Sequence, residues 1–264
     1  FFSTFTLGPI TSGRTLAVQN RGSGGTVSFS GPISATGGTG ISFTSNNAAS
    51  SVSLLGKITL STGASAAFSG SNGGVVQTAA TNVQNAITTT SGVAINLSNT
   101  TIGGNGLIFQ SINVSAAASS GIVLHNTGST AGLSVVGTGA AGSGGTISGG
   151  TVGISLTSTR SPSFTRMVIQ NTSGSGIQGT GVTNFSLTNS TISNSGTGLG
   201  ADTSSVAFNS SSSGTENNLS GTVTITGNTF STPYYHGVDI KNFAGTLTTV
   251  TISTNTITSA TTVA

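Results

Sequence analysis

Leu187-Thr-Asn-Ser-Thr-Ile192 is one copy of a hexamer that recurs as Leu97-Ser-Asn-Thr-Thr-Ile102, Ile225-Thr-Gly-Asn-Thr-Phe230 and Ile252-Ser-Thr-Asn-Thr-Ile257. Each copy starts apolar, passes through three small polar residues, reaches Thr and ends apolar. A second unit opens on Gly and a short alternating stretch: Gly40-Ile-Ser-Phe43, Gly92-Val-Ala-Ile95, Gly121-Ile-Val-Leu124, Gly153-Ile-Ser-Leu156 and Gly237-Val-Asp-Ile240. Gly176-Ile177 and Gly198-Leu199 read as worn copies, so that positions 153, 176 and 198 mark steps of 23 and 22 residues. Self-similarity at such a period marks stacked supersecondary units, none of which buries its apolar face alone. A step near 22 fits one coil of three short strands and three turns.

The local chemistry agrees. Ile41/Phe43, Val52/Leu54, Val93/Ile95, Ile154/Leu156 and Val238/Ile240 alternate with polar or small residues, which sends alternate side chains inward from a strand. Gly-Ser, Gly-Gly, Asn-Thr and Thr-Gly dipeptides separate these pairs. There Gly takes positive φ without steric cost and Asn tolerates the left-handed region. Good helix formers are scarce. The expectation is an all-β, three-sided parallel β-solenoid. Dividing 264 residues by the step and setting aside loops 138–150 and 201–220 leaves nine to eleven coils, a rod of roughly 45–55 Å at about 4.8 Å per coil. Asn99, Asn171, Asn189, Asn194, Asn228 and Asn255 sit beside corners, either as an inward ladder satisfying backbone groups or simply as turn formers.

Composition narrows function. Six Lys+Arg and three Asp+Glu make 3% charged residues, against about 25% in an ordinary domain. That excludes a basic nucleic-acid track, a salt-bridged helical bundle and a crowded acid/base site. Stacked rungs account for the deficit, because like charges repeated directly across paired strands repel whereas Ser, Thr and Asn ladders do not. With no cysteine, neither disulfides nor thiolate metal sites hold the chain, and it has no apolar run of about 18 residues to form a transmembrane helix. It opens at Phe1-Phe2-Ser3 and stops at Thr262-Val263-Ala264 in mid-pattern, as a segment of something longer would. One solenoid is expected over 1–264, with looser coils over 1–91 and regular ones over 92–264.

The stretch from Gly92 to Thr258 resembles the right-handed parallel β-helix repeats of very large bacterial surface proteins, autotransporter-type passengers and related adhesins. The likeness is carried by Gly121-Ile-Val-Leu-His-Asn-Thr-Gly, Gly153-Ile-Ser-Leu-Thr-Ser and Asn184-Phe-Ser-Leu-Thr-Asn-Ser-Thr-Ile. Thr26-Val-Ser-Phe-Ser-Gly-Pro-Ile-Ser-Ala-Thr-Gly-Gly-Thr-Gly-Ile-Ser-Phe43 is similar to the strand repeats preceding such helices. The resemblance implies export to the bacterial cell surface or beyond, and no fixed active site. Where many relatives carry Gly-Asp-Gly-Ile corners, this chain has Gly-Ser-Gly-Ile177 and Gly-Thr-Gly-Leu199, so calcium is not expected.

Parallel β-helices also include polysaccharide lyases and hydrolases. Glycoside hydrolysis needs two carboxylates flanking one bond, and the chain offers Asp202, Glu216 and Asp239 alone, with no charged side chain from 58 to 159. The cluster closest to a site is Tyr234-Tyr235-His236 with Asp239 and Lys241. Alternation turns Val238 and Ile240 inward and Asp239 and Lys241 outward, where the two can pair beside an aromatic platform suited to a sugar. His125 ends a strand without a neighbouring carboxylate. Arg14, Arg21, Arg160 and Arg166 read as solvated corners. Sequons such as Asn96-Leu-Ser98 arise from composition. Hydroxyl rows at Thr222, Thr224 and Thr226, and at Thr249, Thr251 and Ser253, resemble the lattices of ice-binding solenoids, with loops expected to interrupt their register. The expected function is that of a structural or adhesive module, not an enzyme: a rigid stalk, a surface fibre or a filament subunit. It needs no cofactor or metal, and its partners are further copies of itself or host-surface and matrix contacts. The alternative is a carbohydrate-binding or polysaccharide-degrading β-helix using Tyr234, Tyr235, His236 and Asp239.

Overall fold

A computed structural model describes residues 7–10, 12–81, 84–197, 203–210 and 214–258. Every regular element among them is a strand, and all the pairings are parallel. Three sheets run along the molecule. The first has ten strands, from Leu7–Ile10 to Thr256–Thr258; the second has eleven, from Leu16–Gln19 to His236–Ile240; the third has six, from Leu107–Phe109 to Leu247–Ser253. In the N-terminal coils the third side is made by Gly25–Phe29, Ser50–Leu54 and the second halves of Phe68–Thr78 and Ile95–Ile102, which remain part of the second sheet.

The coils are longer than the 22-residue step. Leu16, Ile41, Phe68, Ile95, Ile122, Ile154, Ile177, Val206 and Val238 stack in one column, at steps of 23 to 32 residues. The chain therefore makes about nine turns, a rod of roughly 40–45 Å. Spacings of 22 and 23 residues do occur in the first sheet, from Ile147 to Ile169 to Ile192; elsewhere the corners are longer. The rung after Ile177 is Val206, while Gly198 and Leu199 lie outside the described residues.

The interior is a continuous apolar column. Ile41, Phe43, Val52, Leu54, Ile95, Leu97, Ile154 and Leu156 are all buried, as the alternation predicts. Val93 departs from it: it is half-buried, because Ile95, not Val93, registers with Phe68 and Ile122. Phenylalanines stack between coils, Phe43 on Phe68 at 5.4 Å, Phe68 on Phe109 at 5.9 Å and Phe185 on Phe208 at 4.9 Å, in the tilted and edge-on geometries that aromatic quadrupoles favour.

The hexamer is a corner with a fixed part for each residue. In the three later copies its first and last residues are inward rungs of adjoining sheets: Leu187, Ile225 and Ile252 stack in the third, Ile192, Phe230 and Ile257 in the first. The third position bends the chain. Asn189 has φ 51°, Gly227 67° and Thr254 53°, the region Asn and Gly enter most readily. The fourth turns inward and takes a backbone N–H from the coil before. Met167 N donates to Ser190 Oγ at 3.1 Å, Ser190 N to Asn228 Oδ1 at 2.9 Å and Asn228 N to Asn255 Oδ1 at 2.9 Å. The Leu97–Ile102 copy repeats this at another corner, where Asn99 has φ 48° and Thr100 accepts from Gly73 N at 2.9 Å.

The asparagines thus divide. Asn228 and Asn255 form the inward ladder, whereas Asn99, Asn171, Asn189 and Asn194 are exposed left-handed corners. Outside, Asn126 Nδ2 donates to Asn99 Oδ1 at 2.8 Å and Asn194 Nδ2 to Asn171 Oδ1 at 3.1 Å. Asn46 and Asn85 also turn inward, to backbone carbonyls of Val18, Gly73 and Ile108.

Apart from Gly40, which takes φ 59°, the glycines that open the second-sheet strands serve space more than conformation. Gly121, Gly153, Gly176 and Gly237 have no positive φ. A Cβ on Gly121 would stand 2.6 Å from Ile147, and one on Gly176 2.5 Å from Ile192. Large first-sheet side chains close over this corner, so its column admits small residues.

Candidate functional site

The cluster predicted from Tyr234, Tyr235, His236 and Asp239 sits where the first sheet passes to the second near the C-terminal end. Ser231 closes a first-sheet strand, Thr232 turns with φ 51°, and buried Pro233 leads into the aromatic pair before strand His236–Ile240. The Tyr234 and Tyr235 rings meet edge-on at 4.9 Å, and Tyr235 lies 6.2 Å from the His236 ring at a tilt of 31°.

These residues do not converge on one point. Tyr235 and His236 rim a cleft of about 330 Å³ whose floor is Phe230, Val238, Ile252 and Ile257; Tyr234 and Asp239 are not part of its lining. Asp239 points outward from the second sheet, where its Oδ2 accepts Asn209 Nδ2 at 2.7 Å and stands 4.0 Å from His236 Nδ1. The ion pair expected with Lys241 is therefore replaced by one with His236. That contact sits at the limit of ion-pair distance and is an ion pair only when the imidazole carries its second proton; with the His236 side chain 56% exposed and Asp239 13%, it is worth less than about 1 kcal/mol. Val238 and Ile240 face inward but are only partly buried.

Of the other carboxylates, Asp202 lies outside the described residues. Glu216 precedes the strand Leu219–Thr226 and presents its backbone carbonyl to the N–H groups of Phe243 and Ala244, at 3.1 Å each. It does not line the cleft. Among the described residues no three His, Cys, Asp or Glu side chains gather as metal ligands. The cleft offers an apolar floor, one phenol, one imidazole and the Asn255 amide: a stacking surface with three polar groups at its edges. His125, by contrast, meets Ser98 Oγ at 3.4 Å on an exposed corner of the second sheet.

Two surface features differ from the sequence reading. The hydroxyl rows of the third sheet are not broken by loops. Ser163, Ser186, Thr224 and Thr251 stack rung on rung, as do Thr165, Thr188, Thr226 and Ser253, because the long insertions, such as the one between Val135 and Gly145, lie in the corners that flank these strands and not within them; the row of Thr222 and Thr249 stops at the register shift after Thr183. Arg166, read as a solvated corner, is half-buried beside a polar cleft and donates from Nε to Gly139 O at 2.9 Å. Its segment Phe164-Thr-Arg-Met-Val-Ile169 occupies the hexamer's place with Arg, Met and Val where the other copies have small polar residues and Thr, which conceals the corner in the sequence.

The family described as right handed beta helix region matches residues 131–264, half of the chain, and the chain belongs to it. That family holds enzymes and non-enzymes alike. No curated protein and no solved structure matches the chain. Among the described residues no helix is long and apolar enough to cross a membrane.

Proposed function

We propose that the chain is a structural and adhesive module of an exported bacterial protein, a rigid length of stalk, surface fibre or self-assembling filament that works outside the cell. The observation that carries this is the unbroken second-sheet column from Leu16 to Val238. Each coil bonds its neighbours through parallel strands on every side, so tension along the axis is shared by whole sheets of hydrogen bonds. Nearly uncharged walls remove the repulsion that keeps such rods apart.

Sedimentation velocity across a wide concentration range, run beside a polysaccharide turnover panel, tests this. Elongated species that grow with concentration and no release of reducing ends are expected. A strictly monomeric species would remove self-assembly, and turnover lost in Tyr235→Ala would replace the proposal with the carbohydrate-degrading one.

A further inference from the structure

The corner joining the third sheet to the first carries a second cleft, of about 340 Å³, lined by Arg166, Asn189, Thr191, Gly227 and Thr229 and by the Gly139 loop. These residues come from successive coils, so the cleft runs along the rod axis. Arg166 stands out at its corner. It holds the left-handed position, φ 57°, that Asn189, Gly227 and Thr254 take in the following coils. Of the four residues at this position Arg166 alone carries a long, charged side chain, where Gly without a Cβ or the short amide of Asn is the easier choice.

The surroundings say what that side chain can do. Arg166 Nε fixes Gly139 and with it one wall, while its Nη nitrogens donate to no described residue and pair with no described carboxylate. Facing it are neutral hydrogen-bonding groups: the exposed Asn189 amide, and the Thr191 and Thr229 hydroxyls stacked one rung apart. A planar cation with open, parallel donors matches the oxygens of a carboxylate or a sulfate ester. A row of hydroxyls and an amide beside it matches the ring hydroxyls of a sugar. A free inorganic anion would leave that row unused, and no large apolar side chain lines the cleft to anchor a peptide.

We propose that this cleft binds an anionic sugar, with its carboxylate or sulfate on the Arg166 guanidinium and its hydroxyls on Asn189, Thr191 and Thr229. This goes beyond the stalk function and stands without it, since a rod that never self-associates carries the same cleft.

Isothermal titration of the whole chain with sialyllactose, lactose sulfate, lactose and inorganic sulfate tests the proposal and separates the two oxyanions. Saturable binding of one or both anionic sugars is expected, weakened by salt, with neither lactose nor sulfate binding comparably. Arg166→Lys, which keeps the charge and loses the fork, is expected to weaken it at least tenfold. Arg166→Asn, which suits the left-handed corner, is expected to abolish binding without lowering the melting temperature, and Thr229→Val to weaken binding at unchanged melting temperature. Equal binding by lactose or inorganic sulfate, no binding of either anionic sugar, or full binding in Arg166→Asn would overturn it.

Discussion

Asn228 and Asn255 lie one coil apart and share a single oxygen: the backbone N–H of Asn228 donates to Asn255 Oδ1 at 2.9 Å, and Asn228 Nδ2 donates to the same atom at 3.0 Å. Asn228 passes the interaction back, accepting Ser190 N–H on its own Oδ1 at 2.9 Å and donating to Leu187 O at 2.9 Å. Asn228 is 1% exposed, so these groups have no solvent to fall back on. Asn228→Ala leaves the buried Ser190 N–H unpaired and takes one donor from the Leu187 carbonyl, and is expected to cost about 1–3 kcal/mol in chemical denaturation. A loss below the scatter of exposed surface substitutions would show that the ladder is ornamental.

Asn189 in the same hexamer is held by conformation instead, exposed and at φ 51°. Asn189→Gly is expected to change stability by a few tenths of a kcal/mol, whereas Asn189→Val, β-branched in the left-handed region, costs about 1–2 kcal/mol. Paired urea titrations read the difference.

Glycine spacing separates two roles that look alike in sequence. At Gly176 an added Cβ meets Ile192 Cγ2 at 2.5 Å and the carbonyl of Ser205 at 2.8 Å, while at Gly104 it meets nothing within 4 Å. Gly176→Ala is expected to lower stability by about 1–3 kcal/mol, the range of overpacked interiors, and Gly104→Ala to leave it unchanged or slightly raised. Thermal melts of the two variants are the check.

The scarcity of charge has its own test. Thr224 and Thr251 are register partners facing outward on the third sheet. Thr224→Lys or Thr251→Lys alone is expected to shift stability by less than about 0.5 kcal/mol. Together they should lose a further 0.2–1 kcal/mol or so through repulsion across paired strands, recovered in molar salt by screening. A double-mutant cycle at low and high salt measures the coupling; additive variants would remove repulsion as the reason for the neutral walls.

Strand identity and the inward face were legible because period-two alternation at Ile41/Phe43 or Ile154/Leu156 and the repeated hexamer both follow from stacking. Coil length was not, since corners such as 126–132 and 136–144 add residues without disturbing the sheets they join. The sequence marks Gly121 and Gly176 as opening their strands without saying why they are glycine; the placement of Ile147 and Ile192 across the corner shows that they make room. Near the aromatic cluster the sequence rightly turned Asp239 outward, but its partners Asn209 and His236 are set by cross-rung register and by the local turn. Arg166 was invisible as more than a corner because its hexamer is degenerate and its cleft is assembled from several coils.

Pulling single molecules along the axis tests the central claim most directly. The chain has no cysteine, so Gly22→Cys and Thr248→Cys, both at exposed positions, give clean handles near the two ends. A rod of coils each bonded to its neighbours is expected to resist and then yield coil by coil, each event freeing roughly 90 Å of extended chain. Release of the whole segment in one step at low force would contradict the account.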